Sequence, residues 1–445
     1  MANTYISRSN ASGTSTQKGT ISVWIKSSEE PSGNNQTTLA SWGDANNHGA
    51  LLWNGSDKID AFDYQSGYAS QLQTNALLRD CSAWYHIVYS WDTTLSTAND
   101  RQKIYINGIE QTYSTRTNYS SGATTSWNAN SYSMRVGALN SSSYFRGSMS
   151  HIHFIDGIQY PATTFGETDA TTGQWKIKTS PSVTYGTNGF SILKDGNTIT
   201  DQSSNSNDFS LGAGTLTKTE DCPSNVFATL NTLDGMSMAS GCTFSNGNTS
   251  VVCASNNYTP YGTTIGVNKG KWYAEFKAKA NMGDGMVGVF ANLGDTGYAL
   301  TRPANSYAWY NASGGNVKTN NANMTGGASV GTYATNDIIQ IALDLDNNKL
   351  HFNKNNTGWL YSGNPATNAG GYAITDPDST ELGFYFMTAI DWGGGVRGNW
   401  ECNFGNGHFG TTAVASAGTN ASGNGIFEYD VPTGYTALST KGLNL

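Results

Sequence analysis

Hydrophobic side chains recur at every second position in segment after segment of this chain, and clusters of Gly, Asn, Asp and Ser bound the segments. Within 20–26, Ile21, Val23 and Ile25 share one face. Within 270–279, Trp272, Ala274, Phe276 and Ala278 face one way while Glu275, Lys277 and Lys279 face the other. Ile339, Ile341, Leu343 and Leu345 repeat the pattern in 337–346, and Leu382, Phe384, Phe386 and Ile390 repeat it in 381–390. Such alternation predicts strands with one face in a core and the other in water. Several runs end in residues that tolerate positive φ: Asn107-Gly108, Asp156-Gly157, and Asp346-Asn347-Asn348. These predict hairpins. No stretch sustains i, i+3, i+4 periodicity over three turns, so the predicted fold is all-β, of sandwich or jelly-roll type.

At 445 residues the chain exceeds a single domain of roughly 100–200 residues, so two or three cores are expected. Composition shifts divide it into a strand-dense block at 1–165, a polar, loop-like connector at 166–230, and a second strand-rich block at 231–445. Heptads, collagen-like triplets and short β-helix repeats are missing from the sequence, so no fibrous shaft is expected.

Only 13% of residues are charged and 12% are aromatic, with 52 Gly against 9 Pro. This mixture favours strands and tight turns over helices, whose exposed faces need Glu, Lys, Leu and Ala. The net charge of -8 is dispersed and no Lys/Arg block occurs. Phosphate-backbone recognition is therefore not expected, and nucleic acid is not an expected partner. No apolar run reaches the length of a membrane span, and residues 1–8 lack the apolar core of a signal peptide; neither membrane insertion nor leader-directed export is expected. Five sparse cysteines, Cys81, Cys222, Cys242, Cys253 and Cys402, suit free thiols of a protein assembled in reducing cytoplasm, with Cys242–Cys253 the one pair left open for oxidation outside it.

The succession 22–26, 84–92, 103–108 and 144–157, with Trp24, Trp84, Trp91, Asn107-Gly108 and Phe154-Ile155-Asp156-Gly157, resembles the laminin-G-like, concanavalin A-type jelly rolls. The third block resembles SPRY domains through Gly270-Lys271-Trp272-Tyr273-Ala274-Glu275-Phe276, Gly288-Val289-Phe290 and residues 339–347. The order of the blocks is similar to that in virion proteins of tailed phages infecting marine bacteria and cyanobacteria. That resemblance implies two β-sandwiches joined by a connector. It also implies a structural protein made in the host cytoplasm and carried on the particle surface, as head knob, decoration or compact tail appendage. It would be homo-oligomeric, attached to other virion proteins, and able to touch host surface polysaccharide. A secreted carbohydrate-binding module or a polysaccharide-degrading enzyme is the alternative.

Catalysis would need paired carboxylates or an activated nucleophile. Retaining concanavalin-like glycosidases hold two acids roughly 5–5.5 Å apart. Glu167 with Asp169, and Asp344 with Asp346, have the spacing, but the first pair sits in a polar loop and the second at a hairpin end. A Gly-x-Ser-x-Gly elbow and a His-Glu-x-x-His pair are not expected, so no catalytic residue is assigned. His151 and His153 are the best metal candidates by i, i+2 spacing, with a surface or interface role the stronger explanation. No cofactor is assigned; calcium on Asp44 or Asp92 is what the laminin-G resemblance allows. For ligand binding, exposed rings beside amides point to Trp42, Asp44, His48, Trp53 and Asn54, and to Tyr307, Trp309, Tyr310 and Asn311. Core or subunit packing is the ordinary role for such rings.

Overall fold

The computed structural model describes residues 3–28, 36–81, 83–130, 132–194, 199–232, 242–253, 261–280, 282–292, 300, 303–312, 314–324, 329–391 and 399–444. The fold is all-β with several antiparallel sheets. Among the described residues, helical turns are three-residue 3₁₀ pieces, and no helix is long and apolar enough to cross a membrane. The chain divides into two compact units, Met1–Lys218 and Thr219–Leu445.

In the first unit, an eight-stranded sheet runs in the order Tyr113–Thr117, Tyr68–Thr74, Ile59–Gln65, Asn47–Trp53, Thr37–Gly43, Ser133–Val136, Tyr5–Ser9, Ser210–Ala213. A second sheet of six runs Phe190–Ile192, Gly147–Asp156, Lys18–Ser27, Tyr85–Asp92, Gln102–Ile106, Ile109–Glu110. Ile21, Val23 and Ile25 pack between the sheets with Trp42, Trp53, Trp91 and Trp127, as their alternation predicts. The expected wet face of Lys18–Ser27 is not wet. Val88 and Ile155 on that side are covered by Ala162, Phe165, Trp175 and Tyr185, which makes a third layer. Residues 166–218 are structurally part of this unit, because Phe190–Ile192 pairs with Gly147–Asp156 and Ser210–Ala213 pairs with Tyr5–Ser9.

Asn107-Gly108 forms its hairpin, with φ of 48° and 83° and Ile106 opposite Ile109. Asp156-Gly157 does not form one. The Asp156 carboxylate accepts the backbone N–H groups of Thr14 (2.7 Å), Ser15 (2.9 Å) and Asn188 (3.0 Å) and the Asn128 amide (2.8 Å), so it ties three loops together where a turn was expected.

In the second unit the larger sheet follows Cys242–Ser245, Ser250–Cys253, Asn399–Asn403, Lys271–Ala280, Ile338–Asp344, Lys349–Lys354, Tyr372–Ala373, and Thr436–Ala437 pairs parallel with Lys271–Ala280. The smaller sheet runs Ala322–Asn323, Asn316–Thr319, Ser306–Tyr310, Gly285–Phe290, Phe386–Asp391. Trp272, Ala274, Phe276 and Ala278 enter the core with Ile339, Ile341, Leu343 and Leu345, as predicted. In the strand around 386 the inward face is the other one. Tyr385, Met387 and Ala389 are in the core, whereas Leu382, Phe386 and Ile390 join an outer cluster with Met286 and Tyr310, and Phe384 is exposed. Both faces there are apolar, so period two alone does not choose between them.

Cys242 lies directly opposite Cys253 across a hairpin, with Cα atoms 4.0 Å apart, and the two form a disulfide. This corrects the free-thiol expectation for that pair; the register that opposes them is not visible in their spacing. Cys222 and Cys402 are free thiols.

Candidate functional site

Most of the residues proposed from sequence for ligand contact are inside the protein. Trp42 is 1% exposed and Trp53 0%; Trp42 packs on Trp127 (5.5 Å) and Phe154 (4.9 Å). Asn54 is a turn cap, accepting the backbone N–H of Ser56 and Lys58. Asp44 accepts those of Asn46 and Asn47, which hold its carboxyl below the usual range. In the second unit Tyr307 and Trp309 are core. Tyr310 is buried and donates to Asp284 (2.7 Å), and Asn311 accepts the Tyr333 N–H and donates to the Tyr333 carbonyl. No ring of that stretch offers a face to solvent. The reason is geometric: alternation puts these rings on inward faces, and the flanking Gly/Asn turns only look like an open rim.

His48 leads to a different surface. Leu51, Trp53, Ile59, Ala61 and Leu72 face the inter-sheet core, so Ala50, Leu52, Phe62 and their neighbours face outward. On that outer side the register sets His48 opposite Tyr64, Tyr64 opposite Tyr68, Phe62 opposite Gln71, and Asp60 opposite Gln73. The His48, Phe62, Tyr64 and Tyr68 rings meet at centroid distances of 5.6 Å, mostly edge to face. Beside them Asp60 accepts from the Gln71 amide (3.1 Å) and the Gln73 amide (3.4 Å). Burial pushes the Asp60 carboxyl up and the His48 imidazole down. Tyr68 is 55% exposed, and the Phe62 and Tyr64 rings it meets pack with buried Ala50 and Leu52. The result is a ring platform next to an oriented carboxylate and two amides. Phe62 and Tyr64 at i, i+2 were the available sequence signal; Tyr68 joins them only through strand register.

The acid–base candidates are differently employed. Exposed Glu167 and half-buried Asp169 are partners of Lys176 at 3.5 and 3.2 Å, and the N–H groups of Thr172 and Thr171, with Lys176, pull Asp169 down to about 2. Asp344 accepts the backbone N–H of Asp346 and Asn347 and pairs with Lys271 at 2.9 Å, while Asp346 accepts the Gly270 N–H. Both are turn acids. Gly327-Ala328-Ser329-Val330-Gly331 does match the Gly-x-Ser-x-Gly spacing, contrary to the expectation. Gly327 and Ala328 lie outside the described residues; the exposed Ser329 hydroxyl donates to the Gly314 carbonyl and accepts the Gly331 N–H.

A Ser–His contact also exists, with Ser22 Oγ 2.8 Å from His86 Nε2. The Trp175 indole donates to His86 Nδ1 (3.0 Å), and indole nitrogen is a donor only. The neutral ring therefore carries its proton on Nε2 and donates to Ser22. His86, held down to about 3 by burial, does not take a proton from that serine. His151 has φ of 48° in a bulge, so His151 and His153 do not project together, and His153 bonds the Tyr185 hydroxyl (2.9 Å). Among the described residues no cluster of His, Cys, Asp or Glu is placed to hold a metal, Asp92 being occupied by Thr94 and Lys18.

Residues 1–163 match the family model described as the concanavalin A-like lectin/glucanases superfamily, of laminin-G type, so the first unit carries a laminin-G-like domain. That family defines a lectin-like fold class. None of the curated proteins matches the chain. Among solved structures, the SPRY domain of human HERC1 is 14% identical with a TM-score of 0.27, covering 36% of this chain and 91% of its own. Domain 4 of AbnA, an extracellular arabinanase of Geobacillus stearothermophilus solved with arabinotriose, is 20% identical with a TM-score of 0.25, covering 33% and 64%. The SAP-like pentraxin of Limulus polyphemus is 10% identical with a TM-score of 0.27, covering 35% and 71%. Superpositions this loose carry no argument about function.

Proposed function

We propose that this chain is a non-catalytic adhesive protein on the surface of a tailed-phage particle, and that its first unit contacts host surface glycan through the outer face bearing His48, Phe62, Tyr64 and Tyr68. The observation that carries the glycan part is the exposed Tyr68 ring joined to three others beside Asp60, Gln71 and Gln73. Ring faces stack on the C–H faces of sugars, and a carboxylate with amides hydrogen-bonds hydroxyls. The virion part is supported by the resemblance of the block order, and repetition on a particle lets weak contacts suffice.

Tyr68→Ala in a multivalent display on a glycan array tests the first part. Loss of signal with stability changed by less than about 0.5 kcal/mol is expected, since the ring is mostly exposed. An unchanged glycan profile would overturn it. Immunogold labelling of purified phage tests the second part; unlabelled particles would overturn that.

A further inference from the structure

The loop 355–371 of the second unit is unusual in three independent ways. Its backbone is strained: Asn355, Asn356, Tyr361, Ser362 and Asn368 all have positive φ, and for a tyrosine (54°) this is a disfavoured state that surrounding structure must impose. Hydrogen bonds and ring packing impose it. The Gly371 N–H donates to the Tyr361 carbonyl, the Leu360 N–H to the Phe352 carbonyl (2.8 Å), and the Tyr361 ring lies 5.5 Å from buried Tyr372 at an interplanar angle of 18°. The ring thus held is 60% exposed.

Beneath the loop, hydrogen-bonding capacity goes unused. His351 is fully buried, a Cβ on Gly363 or Gly371 would collide with its Nδ1, and neither ring nitrogen has a partner. The Tyr372 hydroxyl and the Asn368 side-chain oxygen are likewise buried without partners. Orphaned buried polar groups are rare because each is destabilising, so a cluster of them under one loop calls for a structural explanation. Finally, the loop contains no charged residue, and its Ser362, Asn364 and Thr367 are exposed.

We infer that loop 355–371 is a second recognition site, in which Tyr361 takes the apolar face of an uncharged sugar residue and the surrounding Asn, Ser and Thr groups bind its hydroxyls. A fixed ring serves better than a mobile one, because less side-chain freedom is lost on binding. The loop supplies no charged side chain of its own, and the neighbouring Lys349 ammonium is held by the Gly370 carbonyl (3.0 Å), so the ligand we infer is a neutral rather than an acidic polysaccharide. The site uses none of the residues of the first unit's ring face, so the two stand or fall separately.

The test is affinity electrophoresis of the full chain through gels containing starch, mixed-linkage β-glucan, mannan or arabinan, with alginate as the anionic comparison. Asn accepts the left-handed backbone, so Tyr361→Asn removes the ring without adding strain. It should weaken retardation by at least one neutral polysaccharide about tenfold, with unchanged melting, while Tyr361→Phe retains it. Retardation that is insensitive to Tyr361→Asn for every polymer overturns the site, as does sensitivity confined to alginate. Retention lost with Tyr68→Ala but not with Tyr361→Asn leaves the first unit's face standing and overturns this one.

Discussion

The two units bury the polar side of a sheet in the same way but with opposite chemistry. In the first, residues 158–185 cover the outer face of the six-stranded sheet and enclose His86 and His153, each neutral and pushed down to about 3 by burial. In the second, residues 427–437 cover the larger sheet with Phe427, Val431 and Tyr435 and enclose Glu275. That carboxylate accepts the backbone N–H groups of Glu428 (2.8 Å) and Tyr429 (2.9 Å), the Tyr273 hydroxyl (3.0 Å) and the Asn403 amide (3.3 Å). Burial nonetheless pushes it up to about 7. A late segment of chain thus turns a solvent face into an interior one, and the group it covers determines how that unit answers to pH.

The largest expected effect follows from that contrast. For Glu275, from an ordinary 4.5 to about 7, the native state keeps a proton that the unfolded chain releases. Its contribution is full below pH 4.5 and is lost as pH rises through about 7, a change on the order of 3 kcal/mol. The histidines have the opposite sign. Between about 6.5 and 3 the unfolded chain takes up protons that His86 and His153 refuse, so acidification destabilises the first unit. Asp60 and Asp63, raised by burial, work against this in the same unit, so the histidine share is the difference between wild type and His153→Gln. Urea midpoints read separately for each unit by pulse proteolysis and peptide mapping should show Glu275→Gln flattening the second unit's curve between pH 4.5 and 7. A full wild-type slope in that variant would sink the assignment.

A slightly smaller effect separates the units by redox. The Cys242–Cys253 bridge closes a hairpin with a sequence separation of 11, for which chain entropy gives about 3 kcal/mol. Dithiothreitol should lower the second unit's urea midpoint and leave the first unit's unchanged. Equal loss in both would mean that the bridge does not act on the second unit alone.

What the sequence showed was what local chemistry decides. Asn107-Gly108 named its hairpin because positive φ is a property of those two residues, and Trp272, Ala274, Phe276 and Ala278 named their core face because alternation needs no partner strand to be read. Glu275 was read as wet on the same logic, and that failed, since the segment covering it arrives 153 residues later. Trp42 and Trp53 were read as reachable from flanking turn residues, while their strands turn those rings inward. Tyr68 went unnoticed for the converse reason: its place beside Tyr64 and Phe62 exists only in the register of paired strands. Site residues here are defined by pairings, and pairings are not written in spacing.

The smallest effect probes the cover directly. Trp175 is half-buried, lies 6.0 Å from the His86 ring at 18°, and donates to its Nδ1. Gly108 and Gly166 have no side chains where a Cβ would strike this indole, so its slot is shaped by the chain on both sides. Trp175→Ala should destabilise the first unit by about 2 kcal/mol, less than the roughly 3–5 of a fully buried Trp because part of the ring is already wet. Trp175→Phe keeps the ring and loses only the N–H, about 1 kcal/mol. The alanine variant also admits water to His86, and its imidazole should then titrate closer to the ordinary value of 6.5 by NMR. If His86 in Trp175→Ala stays unprotonated at pH 5, the indole is not what keeps that histidine dry, and the parallel with the segment over Glu275 breaks.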